Sequence, residues 1–221
     1  MGVSTTLHPS GQRRGPMQER SQETVGRVLA SAGRLLARGV SPQSLTTSHI
    51  AAEAGLSVGA LYRFFPDKQA IVDAIALRHL QAFQESLAAA LMADLPDSPA
   101  GFLDAVIDGF AAYLETHTDF RTLAYGAPAD GTRGGGNARA ISGALFDAQL
   151  GGAGEMAGMV REVLSGLFGL DLAEDFDFRL RIAAEIGDRL FAHAVAQPDA
   201  AQRVRVLAQA KDVLGRYLFP G

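Results

Sequence analysis

Apolar residues recur at three- and four-residue spacing along most of the chain, which is the period of amphipathic helices rather than of strands. Val25, Val28, Leu29, Ala32, Leu35 and Leu36 set a first helix from Gln22 to about Arg38, capped by Ser21 and ended by Gly39. Thr46 is a good cap for a two-turn helix over 47–54, with Ile50, Ala51 and Ala54 apolar. Gly55 stops that helix, because only glycine enters the left-handed conformation without a steric penalty, and Leu56 tucks between the flanking helices. Ser57 caps a third helix to about Phe64, with Ala60, Leu61 and Phe64 inward, and Pro66 ends it by lacking an amide hydrogen. Helix, glycine turn, helix is the helix-turn-helix spelling.

Asp67 then caps a long helix through about Met92, striped by Ile71, Ile75, Leu80, Phe83, Leu87 and Leu91. At 1.5 Å per residue, about 25 residues span nearly ~40 Å, enough to start in one domain and finish in the next. Ser98 or Pro99 opens a helix to about Thr116, and a short helix over 119–125 follows. The glycine-rich stretch 126–137 reads as a loop, and it lacks the preceding strand and the Lys-Ser/Thr of a phosphate loop. From Ala138 to about Leu170 the pattern fits one kinked helix or two, interrupted by Gly151, Gly152 and Gly154. Helices from Asp175 to about Gln197 and from Pro198-Asp199 to about Leu218 complete an all-α chain. The expected division is a flexible tail over 1–17, a three-helix head over 18–66 and a larger helical domain over 67–221.

Composition narrows the chemistry. The chain has 221 residues, 48% hydrophobic and 20% charged, with no Cys and no Trp, so disulfides, thiolate nucleophiles and sulfur-ligated zinc are excluded. The net charge of −4 conceals a division: residues 1 to 68 hold eight basic and four acidic side chains, leaving twenty acidic against twelve basic beyond them, a surplus of eight negative charges. A basic head on an acidic body suits a nucleic-acid reader, since affinity follows the local patch. No catalytic constellation is spelled out, no cofactor motif appears, and the five histidines show no metal-ligand spacing. The first sixteen residues lack the apolar core of a secretory signal, so a cytoplasmic protein is expected.

The outward side of the third helix is left with Val58, Gly59, Tyr62 and Arg63, a face that suits a major groove. The hydroxyls of Thr46, Thr47, Ser48 and Ser57 and the charge of Lys68 suit phosphates on the groove walls. Arg13 and Arg14 fit either a DNA-contacting arm or a solvated tail. From spacing alone a plain helical hairpin remains as good a reading as a DNA reader.

Thr46-Thr47, Ile50-Ala51, Ala54-Gly55-Leu56-Ser57, Gly59, Leu61-Tyr62, Phe64-Phe65-Pro66 and Lys68 together resemble the DNA-binding signature of the tetracycline-repressor (TetR) family of bacterial regulators. The resemblance covers roughly Ser21 to Leu80; beyond it, only length, helical texture and a Tyr-Leu near the end are similar. It implies an all-helical homodimer on a palindromic operator, with a recognition helix at Ser57 to Phe64 and a C-terminal domain that senses a small molecule. The implied activity is that of a repressor, not an enzyme; a helical small-molecule carrier without sequence-specific DNA binding is the alternative. A small apolar or aromatic ligand would meet Phe110, Tyr113, His117, Tyr125, Phe146 and Met159 in a cavity beside the long helix. Ile182, Ile186 and Leu190 on one C-terminal helix, with Val206, Ala210 and Val213 on the other, would leave apolar surface on a monomer, and pairing two such hairpins gives a four-helix interface.

Overall fold

A computed structural model describes residues 16–126, 153–172 and 174–220. The described residues form nine helices: α1 (Pro16–Ala37), α2 (Thr47–Ala54), α3 (Val58–Tyr62), α4 (Lys68–Ala93), α5 (Pro99–Thr116), α6 (Thr118–Tyr125), α7 (Ala153–Phe168), α8 (Phe176–Val195) and α9 (Ala200–Leu218). No strand occurs among them.

Side chains written at the helix starts do the capping. Thr46, Ser57, Asp67 and Ser98 each accept a hydrogen bond from the backbone N–H three residues on, at His49, Ala60, Ala70 and Gly101. Each satisfies one of the amides that a helix start leaves without a partner. At the end of α2, Gly55 has φ 65°, the Leu56 amide donates to the Ala51 carbonyl and the Gly55 amide to that of Ala52. That double closure turns the chain and drops Leu56 onto the core.

Two helix bounds differ from the sequence reading. α1 begins at Pro16 rather than near Gln22, because proline already has a helical φ and its missing N–H is not needed in a first turn. The third helix is regular only over Val58–Tyr62: the Phe64 amide reaches back three residues to the Leu61 carbonyl, tightening the last turn ahead of Pro66.

One buried core runs through both parts of the molecule. Val28, Ala32, Leu36, Leu45, Ile50, Leu61 and Ile71 fill the head, and the same cluster continues through Leu80, Ile107, Phe120 and Phe176 to Leu214 and Leu218. α1 packs on α2, on α4 and extensively on α6, so the head is seated on the body rather than tethered to it. α8 and α9 lie together along their length, and the Arg179 guanidinium donates to the Tyr217 and Leu218 carbonyls, neutralising the end of α9.

One expectation for the C-terminal hairpin changes. Ala210 has no exposed surface, so it belongs to the core of its own chain and not to an outward face. Phe178, in the first turn of α8, is 64% exposed. Val206, Ile182, Ile186 and Leu190 are partly covered, while Val213 is exposed.

Leu61 is fully buried where α3 meets α2 and α1. Leu61→Ala should cost about 3 kcal/mol, the usual penalty for an unfilled core site, read as a lowered urea midpoint by circular dichroism.

Candidate nucleic-acid interface and ligand cavity

Two cationic side chains of α1, Arg27 and Arg34, and Arg38 just past its end hold α2 in place. Arg27 donates to the Ala54 carbonyl at 2.9 Å, while Arg34 and Arg38 grip the two oxygens of Glu53 at 2.9 and 3.1 Å. The Arg34 hydrogen bond holds the Glu53 carboxyl below its usual range, with Arg38 adding to the effect. These exposed pairs fix the angle of α2 more than they add stability. Only the approach in space of residues nineteen and fifteen positions apart reveals them.

With α2 fixed, α3 presents one side to solvent. Val58 is 36% and Tyr62 50% exposed, Arg63 and Ser48 are exposed, and a side-chain carbon at Gly59 would meet nothing within 4 Å. The Tyr62 hydroxyl lies 3.3 Å from the Thr47 hydroxyl, which joins the start of α2 to the outer face of α3. Thr46 and Ser57 already use a hydroxyl lone pair on their own helices. Lys68 departs from the sequence reading: its ammonium donates to the Pro42 and Gln43 carbonyls at 3.0 and 3.3 Å and buttresses the loop before α2. Two of its three N–H groups are thereby engaged.

In the body, α4, α5, α7, α8 and α9 enclose a cavity of about 330 Å³. Phe83, Phe102, Phe110 and Phe191 supply aromatic walls, and Leu87, Leu91, Val160 and Val163 aliphatic ones. The polar residues lining it are Gln84, Tyr125 and Asp188. Of the ligand contacts expected from sequence, Phe110 and Tyr125 line this space, and Phe146 and the Met159 side chain lie outside the described residues. Tyr113 and His117 do not line it. Both are drawn instead into a stack at the junction of α5 and α6, with ring centroids 3.8 Å apart.

Residues 29–75 match the family model for bacterial regulatory proteins of the tetR family. The matched family, TetR, is met over 47 of the chain's 221 residues. Its members are transcription factors rather than enzymes. No curated protein matches the chain in sequence. A TetR-family transcriptional regulator from Streptomyces coelicolor is similar in structure, with a TM-score of 0.62 at 24% identity over 88% of this chain and 97% of that one. A putative TetR-family regulator from Shewanella sp. PV-4 gives 0.53 at 16% identity over 86% and 97%, and a TetR regulator from Rhodococcus sp. RHA1 gives 0.51 at 17% over 89% and 97%. At these identities the likeness extends to the fold alone.

Rings and polar groups connect the cavity to the head. Phe83 on the cavity wall meets Tyr113 edge to face at 5.6 Å, and the Tyr113 hydroxyl is 2.9 Å from His79 Nδ1. His79 stacks on Phe120, and its Nε2 is 3.1 Å from Asp119 Oδ2. That oxygen would be 3.1 Å from a side-chain carbon at Gly33, so α1 and α6 approach closely because position 33 has no side chain. Burial raises the Asp119 carboxyl, but the His79 hydrogen bond and charge outweigh it and leave the group below its usual range. The sequence holds no local signal for this cluster, since His79 and Asp119 are forty residues apart.

The other carboxylate of note is Asp188, whose Oδ1 accepts from the Tyr125 hydroxyl at 3.1 Å. Burial pushes its pKa from 3.8 to about 6, against the Tyr125 hydrogen bond and the Arg189 charge, both of which act downward. A carboxyl raised in this way favours the fold while protonated, and that contribution disappears as pH rises through about 6. Asp188→Asn should therefore gain stability relative to the parent between pH 4 and pH 7, by about 1 kcal/mol after allowing for partial exposure. Thermal melts of both proteins across that range give the comparison; a constant difference would contradict the sign.

Proposed function

We propose that the chain is a ligand-responsive repressor, acting in the cytoplasm as a homodimer on a palindromic operator and released by a small apolar or aromatic molecule. The observation that carries the DNA half is the outward face of α3, with Val58, Gly59, Tyr62 and Arg63 free of the core beside the start of α2. In this reading Tyr62 and Arg63 approach base edges and phosphates, Gly59 allows close approach, and the Thr47 and Ser48 hydroxyls lie on the adjoining backbone. The remaining N–H of Lys68 is available to a phosphate on the same wall. The cytoplasmic assignment agrees with the described helices, none of which is long and apolar enough to cross a membrane.

The dimer reading rests on surface that one chain leaves uncovered. Phe178 and Val213 are exposed on α8 and α9, and Ile182, Ile186, Leu190 and Val206 are partly covered. Two such hairpins across a two-fold axis cover this apolar area and hold two heads at a fixed distance. Entry into successive major grooves needs recognition helices ~34 Å apart, so a ligand that favours another spacing weakens binding from a distance. A difference of 1 to 3 kcal/mol between the two states changes affinity roughly 5- to 150-fold.

A mobility-shift assay with DNA flanking the coding region tests the DNA half. Tyr62→Ala and Arg63→Ala should each lower operator affinity at least about tenfold, the loss of one good contact, with helical content unchanged. A carrier would instead show weak, sequence-blind, salt-sensitive binding that neither substitution changes. For the dimer, sedimentation equilibrium at micromolar concentration should give twice the chain mass of 23.2 kDa; Phe178→Glu with Val213→Glu should shift it to the single-chain mass.

A further inference from the structure

The cavity wall carries an electrostatic feature that apolar packing does not require. Five other carboxylates, at Glu53, Asp108, Asp119, Asp177 and Asp212, each lie within ion-pairing distance of a basic side chain. Asp188 forms no such pair among the described residues, although it is more enclosed than most of these, and its hydrogen-bond partner is the neutral Tyr125 hydroxyl. One such bond uses one of about four acceptor positions on a carboxylate. The Tyr125 proton is committed to Asp188, so both groups have acceptor lone pairs left for a ligand. An enclosed, unpaired acid is costly, and a cation brought beside it recovers much of that cost.

Resting on the reading of this cavity as the sensor's ligand site, we propose that its ligand is an amine. An aromatic or branched apolar body packs against Phe83, Phe102, Phe110 and Phe191, and the protonated nitrogen donates to the Asp188 carboxylate. A cavity of about 330 Å³ falls in the size range of small-molecule pockets. A carboxylate ligand of the same shape meets like charge at Asp188, and an alcohol leaves the acid unneutralised.

Calorimetric titration of the full-length protein at pH 7.5 with 4-phenylbutylamine, 4-phenylbutanol and 4-phenylbutyrate separates the head group from the body. The amine should bind at least about tenfold tighter than the alcohol, the worth of one enclosed charge pair, and the butyrate most weakly. Asp188→Asn should bring the amine down to the alcohol's affinity while leaving the alcohol unchanged. If the alcohol binds as well as the amine in the unaltered protein, or the butyrate binds best, the amine assignment falls while the ligand site stands, and this outcome needs no variant. An amine preference that survives Asp188→Asn also overturns it. If none of the three binds, the proposal fails together with the cavity reading on which it rests.

Discussion

α4 belongs to two packing environments at once, and an unbroken helix cannot answer to them separately. Its first half buries Ile71, Val72, Ile75 and Ala76 in the core that includes the head, and its second half turns Phe83, Leu87 and Leu91 toward the cavity. The intervening backbone has no proline or glycine at which to bend. Its 26 residues span roughly 39 Å at 1.5 Å each, so a tilt of a few degrees at one end displaces the other by about 3 Å. Side chains around a cavity and side chains around a recognition helix are thus placed on one rod.

The second connection is polar. Tyr113, His79 and Asp119 form a chain of short contacts that ends against the bare backbone of Gly33 in α1. In a partly buried setting such contacts are directional and intolerant of a missing partner, which makes the α1–α6 seam specific as well as tight. Arg27, Arg34 and Arg38 in turn fix α2, and α2 packs on α3. Rearranging the rings that border the cavity would therefore be felt at the head along two routes, the rod of α4 and the seam of α1 with α6.

The head and the body differ in how they solve the problem of burying charge. In the head, charges stay at the surface and are spent on orientation, with Glu53 shared between two arginines. In the body, Asp188 is held among largely apolar walls with, among the described residues, the neutral Tyr125 hydroxyl as its hydrogen-bond partner. The first arrangement costs little and fixes geometry; the second leaves a carboxyl that burial holds above its usual range.

Features encoded by neighbours in the chain were legible without coordinates. The caps at Thr46, Ser57, Asp67 and Ser98, the left-handed Gly55, the stop at Pro66 and the continuous stripe of α4 each depend on residues within a turn or two, and hydrogen-bond geometry and φ preference act over that range. The face of α3 was legible for the same reason, as what remains once Leu61 is turned inward. The use of Arg34 and Arg38 on Glu53, the diversion of Lys68 to loop carbonyls, the burial of Ala210, and the withdrawal of Tyr113 and His117 from the cavity toward His79 were decided only by tertiary structure. Helical periodicity states that a side chain faces a neighbour but not which neighbour, and the partner in each case lies at least fifteen residues away or on another helix.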